Sequence, residues 1–174
     1  MHVYEAIHTR RSVRKYRPDS IPQEVLTRVL DAARIAPSGS NRQPTRLIVV
    51  TDDEIKAKLI PMCHDQAFVA SAPVVIVACG RDIKYNRGEW MGRCAMIVDV
   101  VIAVDHLTLA ARAEGLGTCW IGSFSDEQVK AILRIPEGWH VIALTPLGSP
   151  TGQPFVDTTD RKPLEEIVFY DTWQ

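Results

Sequence analysis

Two apolar patterns alternate along the chain and divide it into helices and strands. Val3 to Thr9 has the spacing of a short helix, and Pro22 to Ile35 that of a longer one. Ser20 and Gln23 ahead of the second helix have the spacing of a capping box, and Pro37 ends it. Arg46 to Thr51 and Pro73 to Cys79 are compact runs rich in valine and isoleucine, bounded by turn or helix signals, as expected of buried strands with short helices between them. From Trp90 to Glu114 the pattern stays helical. Its middle (Ile97, Val98, Val101, Ile102, Leu107, Leu109) is apolar around most of the circumference, which predicts burial nearly all round. Gly115 and Gly117 stop this helix and introduce a short segment, Thr118 to Ile121. Ser125 and Gln128 repeat the capping-box spacing before a helix ending near Ile135, and Val141 to Leu147 reads as a further strand.

The tail after Arg161 breaks the expectation for a solvated terminus. Pro163, Ile167, Val168, Phe169, Tyr170 and Trp173 are too apolar to stand in water and require a packing partner, of which a second subunit is one candidate. No repeat, low-complexity tract or linker-like shift in composition interrupts the 174 residues, so residues 1–174 read as one domain with one compact core. Lysine plus arginine (20) nearly balance aspartate plus glutamate (21), which leaves no positive excess to hold a nucleic-acid backbone. Cys63, Cys79, Cys94 and Cys119 are widely separated and suit free thiols in a reducing compartment; no zinc or iron–sulfur spacing is present. The N-terminus lacks the unbroken apolar run of a secretory peptide, and the longest apolar stretch, Ala95 to Val104, is short and interrupted by Asp99. A soluble cytoplasmic protein, with no membrane or nucleic-acid partner, is the expectation.

Three segments carry candidate chemistry. Arg10, Arg11, Ser12 and Arg14 form a phosphate-shaped set, because guanidinium forks bind phosphate oxygens bidentately and a serine hydroxyl adds a donor. The same residues also suit a solvated basic helix end favoured by the helix dipole. Ala36 to Pro44 (APSGSNRQP) is a run of turn formers whose small residues admit a flat ligand, with Asn41 and Gln43 offering amide edges; an ordinary helix-to-strand loop has the same composition. Gly115 to Phe124 (GLGTCWIGSF) is glycine-rich but lacks the strand-then-helix setting of a dinucleotide fingerprint. A turn at Gly122 and Ser123 would aim backbone N–H groups at one point, or would simply close a strand. The five histidines show no ligand spacing, so no metal site is expected. Asp99 and Asp105 lie six apart in the long helix and point to different faces, and no hydrolase triad setting surrounds Ser38 or Ser40.

Taken in order, RRSVRKY at 10–16, APSGSNRQP at 36–44, APVVIV at 72–77, GLGTCWIGSF at 115–124 and DRKPLEEIV at 160–168 resemble the nitroreductase family across nearly the whole chain. The resemblance implies an α+β fold with a mixed, mainly antiparallel central sheet flanked by helices. It implies an intertwined homodimer that exchanges its C-terminal segment and holds FMN at the interface. By position, Arg10, Arg11, Ser12, Arg14 and Arg161 match the phosphate and ribityl contacts of that family. Pro37, Ser38, Gly39 and Asn41 match the loop donated by the partner subunit, Gln66 matches a pyrimidine-edge contact, and Trp120, Ile121 and Gly122 match the strip that runs past the flavin with a backbone N–H facing its reactive nitrogen. The activity implied is transfer of a hydride from NADH or NADPH through FMN to a small organic acceptor such as a nitroaromatic, quinone or enone, by a ping-pong mechanism without a catalytic acid or base. A non-catalytic flavin-sequestering protein would use the same anchors. Thr45 stands where the family commonly has tryptophan, and Asp105-His106 where a glutamine-asparagine pair is frequent; both departures bear on the substrate pocket. Asp82 to Arg93 is the expected lid.

Overall fold

The computed structural model describes residues 1–83, 88–157 and 160–173. Among the described residues six helices, α1 (Val3–Thr9), α2 (Gln23–Arg34), α3 (Asp53–Met62), α4 (Phe68–Ser71), α5 (Glu89–Ala113) and α6 (Asp126–Leu133), surround four strands, β1 (Thr45–Val50), β2 (Val74–Arg81), β3 (Gly117–Thr118) and β4 (Trp139–Gly148). The strands pair in the order β1-β2-β4-β3, and every one of these pairings is antiparallel. The sheet is thus antiparallel rather than mixed, and a parallel pairing occurs only as an isolated bridge between Ser12 and Thr118, outside the named strands, among the described residues.

Strand β2 is central, which explains why its sequence is a continuous apolar run rather than an alternation. Val75, Val77 and Cys79 face one side and pack with Leu59, Cys63, Val69, Val129 and Leu144 beneath α3, α4 and α6. Val74 and Ile76 face the other, against Leu26, Val29 and Ala33 of α2 and Ala103, Leu107 and Ala111 of α5. Each fully buried valine or leucine contributes about 1.5–3 kcal/mol of transfer free energy, so helices on both faces of one strand account for much of the driving force.

Helix α5 departs from the expected burial. Val100, Ala103, Val104 and Leu107 are inside, but Ile97, Val98 and Val101 are exposed, so its apolar circumference serves the core on one side only. Length and composition alone would let this helix cross a bilayer, yet its inner side is the core layer over the sheet. Its end follows the glycine rule. Gly115 adopts φ +76° while Gly115 N–H donates to Arg112 O (3.0 Å) and Leu116 N–H to Ala111 O (2.8 Å), the paired bonds of a Schellman cap. Neither predicted capping box forms. Helix α2 starts after Pro22, and Gln23 Nε2 reaches Thr27 Oγ1 (3.4 Å); Ser125 caps α6 without a side-chain bond, while Asp126 Oδ1 accepts from Val141 N–H (2.8 Å).

The apolar tail has little cover. It makes one 3-10 turn at Leu164–Glu166, and Ile167, Val168, Phe169, Tyr170 and Trp173 all remain exposed. Of the expected lid, residues 84–87 lie outside the described residues; from Glu89 onward it is the first turn of α5, with Trp90 exposed.

Candidate functional site

Position of the basic segment after α1 is set by a close approach. Val13 N–H donates to Thr118 O (2.8 Å), and a Cβ at Gly117 would lie 2.7 Å from Val13 Cβ, so only glycine lets residues 12–14 lie against β3. Ser12 therefore sits beside Thr118 and its side chain hydrogen-bonds Cys119. Burial raises the Cys119 thiol pKa, and nearby Arg14, Ser12 and Arg10 oppose that shift. Tyr16 donates to Val13 O (2.5 Å), and burial raises its phenol far above the usual range. Arg14 lies 5.7 Å from the centroid of the Phe68 ring, which links the segment to the stretch holding Gln66. Gln66 Nε2 donates to Cys63 O (2.9 Å), leaving its carbonyl oxygen to accept.

Arg10, Arg11 and Arg161 converge on one cleft of about 460 Å³, whose other walls are Ile7, His8, Asp105 and Leu109. Arg11 Nη1 donates to Arg10 O (2.7 Å) and His8 O (3.0 Å), whereas its Nη2 is buried without a partner. An orphaned buried donor costs about 1–3 kcal/mol, and an anionic ligand oxygen would relieve that cost. Arg161 Nη1 donates to Asp160 O (2.5 Å) and its side chain is otherwise presented to solvent. Three guanidinium groups around one cleft, one with an unmet donor, fit a phosphate.

The strip at 120–122 lies across the sheet edge. Ile121 is buried and exchanges backbone bonds with Leu144, donating at 2.9 Å and accepting at 3.1 Å. Its N–H is thereby consumed, so a donor facing a ligand from this strip must come from Trp120 or Gly122. Trp120 is exposed.

Pro37, Ser38, Gly39 and Asn41 do not join that cleft within the chain. Pro37 and Ser38 line a separate cavity of about 250 Å³ with Arg34, Thr45, Arg46 and Asp99. The loop is strained. Ser40, Asn41 and Gln43 have φ of 53°, 52° and 50°, a left-handed conformation that costs a non-glycine residue about 1–2 kcal/mol. Local bonds hold it: Ser38 Oγ accepts from Gln43 N–H (2.9 Å), and Gly39 N–H is shared between Asp99 Oδ1 (3.0 Å) and Oδ2 (3.2 Å). The 36–44 loop and the arginine cleft thus line two separate cavities of the chain.

The sequence model of the nitroreductase family matches residues 7–100 and 65–149. This chain belongs to the nitroreductase family. It is accordingly an oxidoreductase. A chain from Methanothermobacter thermautotrophicus, whose description pairs NADH dehydrogenase with NAD(P)H nitroreductase, is 40% identical over 162 residues, covering 88% of this chain and 80% of that one. A crystal structure of a nitroreductase family protein from Clostridium difficile superposes with a TM-score of 0.88 at 33% identity, covering 99% of this chain and 100% of the other. The NADPH:FMN oxidoreductase of Vibrio harveyi, solved with NAD+, gives 0.88 at 29% identity, covering 99% and 78%.

Two carboxylates of this nitroreductase-family chain lie beside the candidate regions without being among the anchors expected from the sequence. Asp99, 5% exposed, hooks the 36–44 loop onto α5, and Asp105 enters the arginine cleft from the same helix. They face different ways, as their spacing requires. A lone carboxylate inside an apolar helical run was the available signal for Asp99, since burial demands a partner.

Proposed function

We propose that this chain is an FMN-dependent oxidoreductase, working as a homodimer, that passes a hydride from NADH or NADPH to an organic acceptor such as a nitroaromatic, quinone or enone. The observation that carries the reading is the cleft of Arg10, Arg11 and Arg161 with a buried donor on Arg11 unpartnered. A terminal monophosphate supplies the oxygens this set lacks, which favours FMN over a flavin whose phosphates are internal to the molecule. Ser12 and Arg14 extend the donors along the strip beside Cys119, Gln66 offers a carbonyl to the pyrimidine edge, and Trp120 with Gly122 borders the ring system. Pro37, Ser38, Gly39 and Asn41 reach the ligand of a second copy in this reading, which accounts for their separation from the cleft within one chain. The exposed face of α5 and the apolar tail provide the surface for that second copy.

When bound, FMN supplies the two-electron chemistry, accepting a hydride from the nicotinamide and delivering it to the organic acceptor. The chain's own residues anchor, orient and leave one face open. No side-chain acid or base is assigned.

The test has two stages. Purified protein should release FMN on heating and should oxidise NADH or NADPH with a quinone or nitroaromatic, giving parallel double-reciprocal lines because one face serves both substrates in turn. Intersecting lines would exclude the ping-pong scheme. A yellow protein with no turnover would be a flavin carrier, and failure to take up FMN would overturn the reading.

A further inference from the structure

Asp105 is the unexplained member of the arginine cleft. A carboxylate beside three guanidinium groups opposes the binding of a phosphate, so its presence calls for a role of its own. It is exposed, one turn beyond Val101 and one turn before Leu109, the latter another wall of the same cleft. No ion pair joins the Asp105 carboxylate to Arg10, Arg11 or Arg161 among the described residues. Opposite charges that line one cleft and do not pair leave room for a molecule bridging them. Such a molecule must present anionic oxygens to the guanidinium groups and hydroxyl donors to the carboxylate. A polyol phosphate monoester has both.

The charge count agrees with this chemistry. Three guanidinium groups and one carboxylate sum to a formal charge of +2, and this matches a phosphate monoester of roughly −1.5 to −2 near neutral pH. Building on the FMN reading above, we propose that Asp105 accepts hydrogen bonds from the ribityl hydroxyls and so makes the cleft specific for a polyhydroxylated phosphate ester rather than for phosphate alone. Asp105 is then a binding residue with no part in the hydride transfer itself.

The experiment measures equilibrium binding, not turnover. Apoprotein of the wild type and of Asp105→Asn is titrated with FMN, with FMN analogues lacking one ribityl hydroxyl, and with inorganic phosphate as competitor. Because Asp105 is exposed and has no ion-pair partner among the described residues, Asp105→Asn should fold normally; equal melting temperatures of the two apoproteins check this, and Asp105→Ala provides a second variant. The wild type should lose affinity when the contacted hydroxyl is removed; Asp105→Asn, which keeps one acceptor oxygen, should lose part of the FMN affinity, and Asp105→Ala should bind FMN about 10- to 100-fold more weakly while becoming indifferent to that hydroxyl. Inorganic phosphate should bind the variant at least as well as the wild type, since a negative charge has left the cleft. Unchanged or tighter FMN binding by both variants would overturn the proposal and leave Asp105 as a mere opponent of the phosphate. Wild-type protein that binds no FMN would instead overturn the reading on which the proposal rests.

Discussion

Replacing Asp99 with alanine tests whether one buried carboxylate holds the strained 36–44 loop. Asp99 is 5% exposed and its two oxygens share the Gly39 N–H at 3.0 and 3.2 Å, across sixty positions of sequence. A hydrogen bond to a charged group contributes about 1.5–3 kcal/mol, and leaving Gly39 N–H buried and unsatisfied costs about 1–3 kcal/mol more. Relief of carboxylate desolvation offsets part of that loss, so a net destabilisation of about 2–4 kcal/mol is expected. For a chain of this size each kcal/mol lowers Tm by about 2–4 °C, giving a fall of about 5–15 °C in a thermal melt followed by circular dichroism. Asp99→Asn keeps the shape and one acceptor oxygen and should fall between the variant and the wild type. The loop should also lose its left-handed conformation at Ser40, Asn41 and Gln43, because that strain persists only while its surroundings impose it. If the loop enters the flavin site of a second copy, FMN affinity will fall with it. A variant melting within about 2 °C of the wild type would show that the loop is held by its own local bonds and that the Asp99 contact contributes little.

Other expectations concern the anchors, the tail and acid stability. Arg161→Ala should weaken FMN binding by roughly 10- to 150-fold, from the loss of about 1.5–3 kcal/mol of charge-assisted contact, and isothermal titration with unchanged affinity would remove Arg161 from the site. Truncation before Ile167 should abolish dimerisation and FMN retention together, since it removes five exposed apolar side chains able to contribute about 1.5–3 kcal/mol each on burial before ordering entropy. Sedimentation of a folded, truncated monomer that holds FMN as tightly as the full chain would refute this. Glu114 accepts both Arg28 Nε (2.7 Å) and Nη2 (2.8 Å), and the Arg28 hydrogen bond lowers its pKa below the ordinary 4.5. A lowered folded-state pKa gives stability that is present above the unfolded value and lost as pH falls through the folded one, so Glu114→Gln should flatten the decline of Tm as pH falls below the ordinary carboxylate value of 4.5. An identical acid limb in both proteins would show the pair to be inert.

Periodicity along the chain determined the elements, because side-chain burial repeats every two residues in a strand and every 3.6 in a helix regardless of what lies opposite. It located both long helices, the buried β2 and the glycine stop of α5, and the order of five motifs carried the family. What faced what was decided only in three dimensions. The apolar circumference of α5 reads as buried nearly all round, yet Ile97, Val98 and Val101 lie outside, because a one-dimensional pattern records that a face is apolar and not whether its own chain covers it. Capping-box spacing at Ser20 and Ser125 did not produce side-chain caps, since Pro22 and the Asp126 bond to Val141 N–H took over those ends. Gly117 reads as a helix stop, but its second role, leaving the space beside Val13 that a Cβ would fill at 2.7 Å, depends on a segment about a hundred positions away. The same holds for the two aspartates. Asp99 and Asp105 are six residues apart in one helix, and only the packing of α5 turns one beneath the Gly39 loop and the other into the cleft of Arg10, Arg11 and Arg161, because charge acts through space and the distance between groups is set by the fold.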